Sequence, residues 1–448
     1  MQIIIPTAPL IEHTVGPQTR ADGKHYRLMT YVAQQPVDDG LLLYHTLTRS
    51  MVLLTPDEAS DITAQQDLID RWFLAPLEHD DRKLCHQIRQ MALLLQPAVR
   101  SITGYTILTT TGCNARCFYC YEKGTKPVAM TAETASKVAR YVMAHRGDGK
   151  VSLGWFGGEP LVNAKVIDQI CTELSEHDVP FKSTMISNGY LFDADMVQRA
   201  KSLWQLRNVQ ITLDGTAETY NRVKDYVYRD ANAFERVLTN IALLTAAGIR
   251  VSIRLNVDKH NIGEMLQLVS LLNQRFGENK CLTVYSHALF AQRTPEDSAA
   301  LYRERMQLEQ QIAACGYSRK EKLQRDIKLN RCMADNDVSV VIAPDGHLGK
   351  CEHYVDREFF GHIDSEKRDE KVIRRFKERP ADTQACNGCF YYPQCCRLVM
   401  CESTCGYTPE MCQEQLYKTK EAMKAAYEDF LNKTPNDNEN TNDDETEI

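Results

Sequence analysis

The strongest constraint on this chain is an alternation of short β-like runs and amphipathic segments that begins at Tyr105. Residues 105–110, 151–156, 183–187, 209–213, 251–256 and 282–286 are rich in β-branched and aromatic residues. Between them, apolar residues recur at helical spacing: Ile167, Ile170, Cys171 and Leu174, then Phe234, Val237, Leu238 and Ile241, then Met265, Leu268, Val269 and Leu272. Asn261 followed by Glu264 predicts a capping box at the start of the last of these. Six strand–helix units imply parallel strands joined by crossover helices, as an open sheet or an incomplete (β/α) barrel. In both, chemistry collects at the carboxyl ends of the strands. Polar and glycine-rich positions gather at those ends: Cys113, then Gly157-Gly158-Glu159-Pro160, then Ser187-Asn188-Gly189, then Asp214-Gly215. Asp214 is a candidate catalytic residue that could equally fix its turn.

Cysteine is the second signal. The 448 residues include 16 cysteines, three within eight positions (Cys113, Cys117, Cys120) and a dense group from Cys332 to Cys412. No apolar run approaches the roughly 18 residues of a membrane span. The opening Met1-Gln-Ile-Ile-Ile-Pro lacks the basic and long apolar regions of a signal peptide. The expectation is therefore a cytoplasmic protein without a membrane partner, whose cysteines bind metal rather than form disulfides. Three thiolates on one loop after a strand leave a fourth metal position open, the arrangement a catalytic cluster needs. Zinc is the competing ligand, disfavoured by the lack of a nearby fourth donor. Of the net charge of −7, Asp437, Glu439, Asp443, Asp444, Glu445 and Glu447 lie at the very end, so the remainder is near neutral and no nucleic-acid partner is expected.

These signals divide the chain. Residues 1–98 read as an N-terminal α/β module with strands at 25–32, 40–47 and 50–54, winged-helix-like or a cap on the next unit. A helix opens there at Thr55-Pro56. Residues 99–325 hold the alternating core, and 326–432 the cysteine-dense region with a helix over 413–432. Residues 433–448 cannot bury apolar area and are expected to be disordered.

The run Cys113-Asn-Ala-Arg-Cys117-Phe-Tyr-Cys120, followed in order by the strand-end motifs, resembles the radical S-adenosylmethionine (SAM) superfamily. The resemblance implies a partial (β/α)6 TIM-like barrel in which Cys113, Cys117 and Cys120 hold a [4Fe-4S] cluster and SAM occupies the open iron. Reductive cleavage then yields a 5′-deoxyadenosyl radical. By the same resemblance Tyr119 contacts adenine, and Gly157, Gly158, Glu159 and Pro160 bind the SAM amino group. Ser187 and Asn188 lie near its carboxylate and ribose, and Arg254 and Asn256 line the pocket.

Downstream, Cys332, Gly346, Cys351, Cys386, Cys389 and Cys395 are spaced as in the SPASM extension, which carries auxiliary clusters in radical SAM peptide and protein maturases. The pattern departs where Val399 stands in place of the next cysteine. The resemblance implies two auxiliary [4Fe-4S] clusters. One takes Cys332, Cys351 and Cys401, with a fourth ligand from Cys405 or substrate; the other takes Cys386, Cys389, Cys395 and Cys412. Two zinc-ribbon-like sites are the alternative.

The implied function is a peptide maturase that abstracts hydrogen and installs a thioether or carbon–carbon crosslink in a ribosomally made precursor. Its leader would add a strand to the N-terminal module, and a flavodoxin or ferredoxin would donate electrons. A formylglycine-generating, sulfatase-maturase-like enzyme shares every motif. A non-catalytic Fe–S electron carrier or zinc-held scaffold is the non-enzymatic alternative.

Overall fold

The computed structural model describes residues 1–96, 101–229, 232–289, 295–318, 322–401 and 409–432. The expected acidic tail at 433–448 and Cys405 lie outside the described residues.

The N-terminal unit runs β1 (Gln2–Ile5), α1 (Pro9–Val15), β2 (Tyr26–Leu28), β3 (Val32–Val37), β4 (Gly40–His45), β5 (Met51–Leu54), α2 (Pro56–Ser60), α3 (Gln66–Asp70), β6 (Leu74–Pro76) and α4 (Asp81–Leu94). Four strands form an antiparallel sheet ordered β1-β5-β4-β3, and β2 pairs separately with β6. The expected strand at 25–32 is thus divided. The Val32 amide donates to the Met29 carbonyl at 3.2 Å, and this turn sends the two halves to different sheets. The isoleucines of β1 form an edge strand that the sequence reading did not include. Pro36 in β3 is tolerated because β3 is the opposite edge, where a missing N–H costs no ladder bond. Thr55 and Glu58 form a reciprocal capping box at the start of α2.

The core follows the predicted alternation. It comprises β7 (Gly104–Thr110), α5 (Ala132–His145), β8 (Val151–Gly157), α6 (Ala164–Glu176), β9 (Phe181–Ser187), α7 (Ala194–Ser202), β10 (Leu206–Leu213), α8 (Ala217–Lys224), α9 (Ala233–Ala246), β11 (Arg250–Val257), α10 (Ile262–Phe276), β12 (Leu282–Ala288) and α11 (Pro295–Ala314). Strands β7 to β12 lie side by side in chain order, all parallel. Sequential order with right-handed crossovers puts the helices on one face, the arrangement of a partial barrel. Burial alternates along β8, β9, β10 and β12 between buried and half-buried positions. Val209, Ile211 and Leu213 are fully buried on one face, while Gln210 and Thr212 stay half-open on the other.

The cysteine-dense region adds β13 (Ser339–Ile342), β14 (His347–Gly349), β15 (Gly361–His362), α12 (Glu370–Arg375) and α13 (Pro409–Leu431). Strand β13 joins the core sheet parallel to β7, with Val340 opposite Tyr105, and β14 and β15 continue antiparallel. Helix α13 returns to the N-terminal sheet, where Met423 and Tyr427 pack among Ala33, Leu42, Tyr44, Met51 and Leu53. Met423 is fully buried there. Met423→Ala should lower stability by about 2–5 kcal/mol, read as an earlier urea midpoint.

Candidate active site

The loop after β7 is held by backbone contact with the end of β8. The amides of Gly158 and Glu159 donate to the carbonyls of Thr110 and Gly112, each at 3.0 Å. A Cβ at Gly157 would lie 2.0 Å from the Thr110 carbonyl oxygen, and one at Gly158 would lie 2.5 Å from that of Gly112. Gly157 also has φ +121°. Both positions exclude a side chain because the cysteine loop passes directly over them.

The Glu159 carboxylate is 1% exposed and faces the next strand end. It accepts from Ser187 Oγ at 2.9 Å, the Asn188 amide at 2.8 Å and the Leu161 amide at 3.1 Å. Burial raises its pKa to about 7 despite those three donors. Pro160 is buried beside it, and its carbonyl accepts from Thr109 Oγ1 at 3.0 Å. Asn188 Nδ2 reaches back to Asn114 Oδ1 in the cysteine loop at 2.7 Å.

Tyr119 turns inward to the ends of β10 and β11. Its hydroxyl donates to Asp214 Oδ1 at 2.8 Å and accepts from Asn256 Nδ2 at 3.0 Å and Lys224 Nζ at 3.1 Å. Lys224 also pairs with Asp214 Oδ2 at 3.0 Å, both side chains almost fully buried. Desolvation works against the ammonium, but Asp214 and the neighbouring Tyr119 outweigh it, so Lys224 is held charged. The Lys224 carbonyl accepts from the Arg116 amide at 2.8 Å, and the Asn114 carbonyl accepts from Val227 at 2.9 Å. The end of α8 therefore clamps the cysteine loop on its far side. Lys224 was not among the predicted site residues; a lone lysine at a helix end carries no motif. Arg254, on β11, is half-buried and contacts His287 Nδ1 at 2.8 Å.

Asn261 and Glu264 do not form the predicted capping box. Asn261 Nδ2 donates to the carbonyls of Asp214 and Asn256, at 2.9 and 2.8 Å. Glu264 accepts from the Thr216 amide at 2.9 Å and Thr219 Oγ1 at 3.1 Å. Both are spent on binding the β10 and β11 ends together. Gly215 is required because a Cβ there would sit 1.8 Å from Glu264 Oε1. A cavity of about 240 Å³ opens beside this network, with Phe118, Tyr119, Asp214, Arg222, Asp258 and His260 in its wall.

Cys113 has an exposed edge, yet its thiol is pushed up to about 12 by burial, with Glu159, Cys117 and Cys120 adding to the shift. Among the described residues no three His, Cys, Asp or Glu side chains are grouped as a single-ion site. The donor set suits a larger group: three thiols on one loop, beside buried polar atoms without a hydrogen-bonding partner, Asn114 Nδ2, Arg254 Nε and Asn256 Oδ1. These residues fit a thiolate-held iron–sulfur cluster with a polar ligand next to it.

Among the described residues, seven of the cysteines from Cys332 onward fall into two neighbourhoods. Burial raises the Cys332 and Cys351 thiols, and each also feels the other or Cys401. Burial likewise raises Cys389 and Cys412, the latter to about 11, with Cys386 and Cys395 as neighbours of both. Cys396 belongs to neither: its Sγ points to the Lys328 carbonyl at 3.4 Å.

Residues 107–272 match the Radical SAM superfamily profile. An "AdoMet-dependent heme synthase" of Methanosarcina barkeri is 26% identical over 168 residues, 37% of this chain and 45% of that protein. An "Fe-coproporphyrin III synthase" of the same organism is 23% identical, covering 41% and 43%. The chain spans about half the length of the curated relatives it matches. The solved structure of native anSMEcpe with bound AdoMet (SAM) has a TM-score of 0.55 at 16% identity, covering 74% of this chain and 100% of that one. Streptococcus suis SuiB bound to its precursor peptide SuiA has a TM-score of 0.51 at 11% identity, covering 83% and 94%. Among the described residues no helix is long and apolar enough to cross a membrane.

Lys224→Met leaves Asp214 buried without its cation and should cost about 3–5 kcal/mol, with Asp214→Asn in the same chain recovering most of the loss in thermal unfolding. Because the folded-state pKa of Glu159 is raised, its contribution is full below the unfolded value near 4.5 and is lost as pH rises through about 7. The apo protein should therefore lose stability over that window, and Glu159→Gln should flatten the profile.

Proposed function

We propose that this protein is a radical SAM maturase that installs a thioether or carbon–carbon crosslink in a ribosomally synthesised precursor peptide. The observation that carries the enzymatic reading is the convergence of Cys113–Cys120, Gly157–Glu159, Ser187–Asn188 and Tyr119–Asp214–Asn256 at successive strand ends in one hydrogen-bonded network, with a cavity beside Tyr119 and Asp214. Cys113, Cys117 and Cys120 would hold a [4Fe-4S] cluster that, when bound, supplies the electron for SAM cleavage. Gly157 and Gly158 leave backbone accessible, and Glu159 offers an anion to the SAM ammonium in place of a second desolvated charge. Tyr119, fixed by three hydrogen bonds, presents a preorganised ring edge to adenine. Asp214 is neutralised by Lys224 and serves as a positioning residue for Tyr119.

Peptide as substrate is supported by the fold shared with the SuiA-bound SuiB structure and by the two open edges, β1 and β3, of the N-terminal sheet. A leader added to one of these edges would gain main-chain hydrogen bonds. The two cysteine neighbourhoods support a pair of auxiliary [4Fe-4S] clusters, on Cys332, Cys351 and Cys401 and on Cys386, Cys389, Cys395 and Cys412. A flavodoxin- or ferredoxin-type donor and a cytoplasmic setting belong to the same reading. Formylglycine formation is the second reading, favoured by the fold shared with anSMEcpe.

Anaerobically reconstituted protein with SAM and dithionite should release 5′-deoxyadenosine, and Cys113→Ala, Cys117→Ala and Cys120→Ala should each abolish it. Persistent release in those variants would overturn the cluster assignment. A co-expressed precursor should lose two hydrogens and gain a crosslink by fragmentation; a hydrazide-reactive aldehyde instead would select the formylglycine reading.

A further inference from the structure

The turn between β4 and β5 presses on the segment that links Cys389 to Cys395. Thr46 Oγ1 donates to the Phe390 carbonyl, Gln394 Nε2 donates to the Tyr44 hydroxyl at 3.4 Å, and the Tyr31 ring stacks on Tyr392 at 6.2 Å. From α4, Arg89 Nη1 donates to the Pro393 carbonyl at 2.7 Å. The N-terminal unit thus encloses one side of this cysteine loop.

In the same turn lies Arg49, 2% exposed. Its Nε and Nη1 are buried and have no hydrogen-bonding partner among the described residues. Its φ of +66° is in the left-handed region, which non-glycine residues rarely occupy. A guanidinium stays charged at any ordinary pH, so a buried one demands an anion. The buried carboxylate of the N-terminal unit, Asp81, is already paired with Arg27 and His79. Burial pushes the Cys85 thiol up to about 11 and the His45 imidazole down to about 3, leaving both neutral. On the other side stand Phe390 and Gln394 of the Cys389–Cys395 segment, held by Thr46 and Tyr44. At the ends of that segment Cys389 and Cys395, with Cys386 and Cys412 as their neighbours, would turn anionic on binding metal.

We propose that Arg49 is the buried counter-charge of an iron–sulfur group held by Cys386, Cys389, Cys395 and Cys412, and that it sets the reduction potential of that group from the N-terminal unit. This rests on the reading of those four cysteines as cluster ligands. Four thiolates give such a cluster a net negative charge, and each electron taken up adds one more. A cation near it favours the reduced form and raises the potential. Arg379, which donates to the Cys395 carbonyl at 3.3 Å, is exposed and screened, and Arg397, whose Nη2 is 3.4 Å from Cys386 Sγ, is half-buried and partly screened. Arg49 is not, so its effect should persist at high salt.

The test uses full-length protein with Cys113, Cys117 and Cys120 replaced by Ala, so that auxiliary groups alone remain. Arg49→Asn removes the charge while suiting the left-handed backbone; Arg49→Lys keeps the charge. Dithionite titration followed by electron paramagnetic resonance should show one signal moved to more negative potential in Arg49→Asn and near its original position in Arg49→Lys, at 50 mM and at 500 mM salt alike. Loss of one cluster's iron in Arg49→Asn with retention in Arg49→Lys also supports the proposal. Unchanged potentials with full iron content overturn it, as does equal iron loss in both variants with a lowered melting temperature. If the triple-alanine parent itself binds no iron, the cluster reading fails before Arg49 is tested.

Discussion

A buried ammonium on a buried carboxylate, Lys224 on Asp214, is the interaction around which the candidate site is built. Neither charge is tolerable there alone, because desolvation of one ion is repaid only by a well-placed partner and further hydrogen bonds. Tyr119, Thr212 and Asn256 complete that set. The main chain at Lys224 also seats the cysteine loop, so side-chain charge balance and backbone position of that loop are a single problem. Loosening the pair would free Tyr119 and the loop together.

The strands of the core were legible because period-two and helical patterns alternate cleanly from Tyr105 onward, and all six runs fall within observed strands. The cysteine loop and the glycine-rich strand ends were legible for a different reason: their residue types have few uses at such spacing. What escaped reading depends on partners distant in sequence. Lys224 acquires meaning only opposite Asp214 and Tyr119. Asn261 and Glu264 satisfy a local pattern, yet the unpaired backbone groups at two neighbouring strand ends compete for them and win. The division of residues 25–32 between two sheets likewise follows from pairing with β6, which no local signal announces.

The cysteine-dense region is tied to both other units. Cys412 lies on the same helix whose Met423 and Tyr427 fill the N-terminal sheet's core, so placement of that thiol at one end of α13 is coupled to packing at the other. The segment from Phe390 to Gln394 is gripped by Tyr31, Thr46 and Arg89. These contacts give the first unit a structural share in the third that is independent of any peptide it binds.

Strand β7, which leads into Cys113, is flanked by β8 on one side and by β13 on the other, and β13 emerges more than two hundred residues later in the chain. During synthesis the strand leading into the first cysteine loop therefore stays an open sheet edge until the whole alternating core has been made. Such an edge is a template for pairing with any other extended chain. The chain's last third thus acts as the closing stave of the sheet, and a nascent or truncated polypeptide lacking it would present its three-cysteine loop beside its stickiest surface.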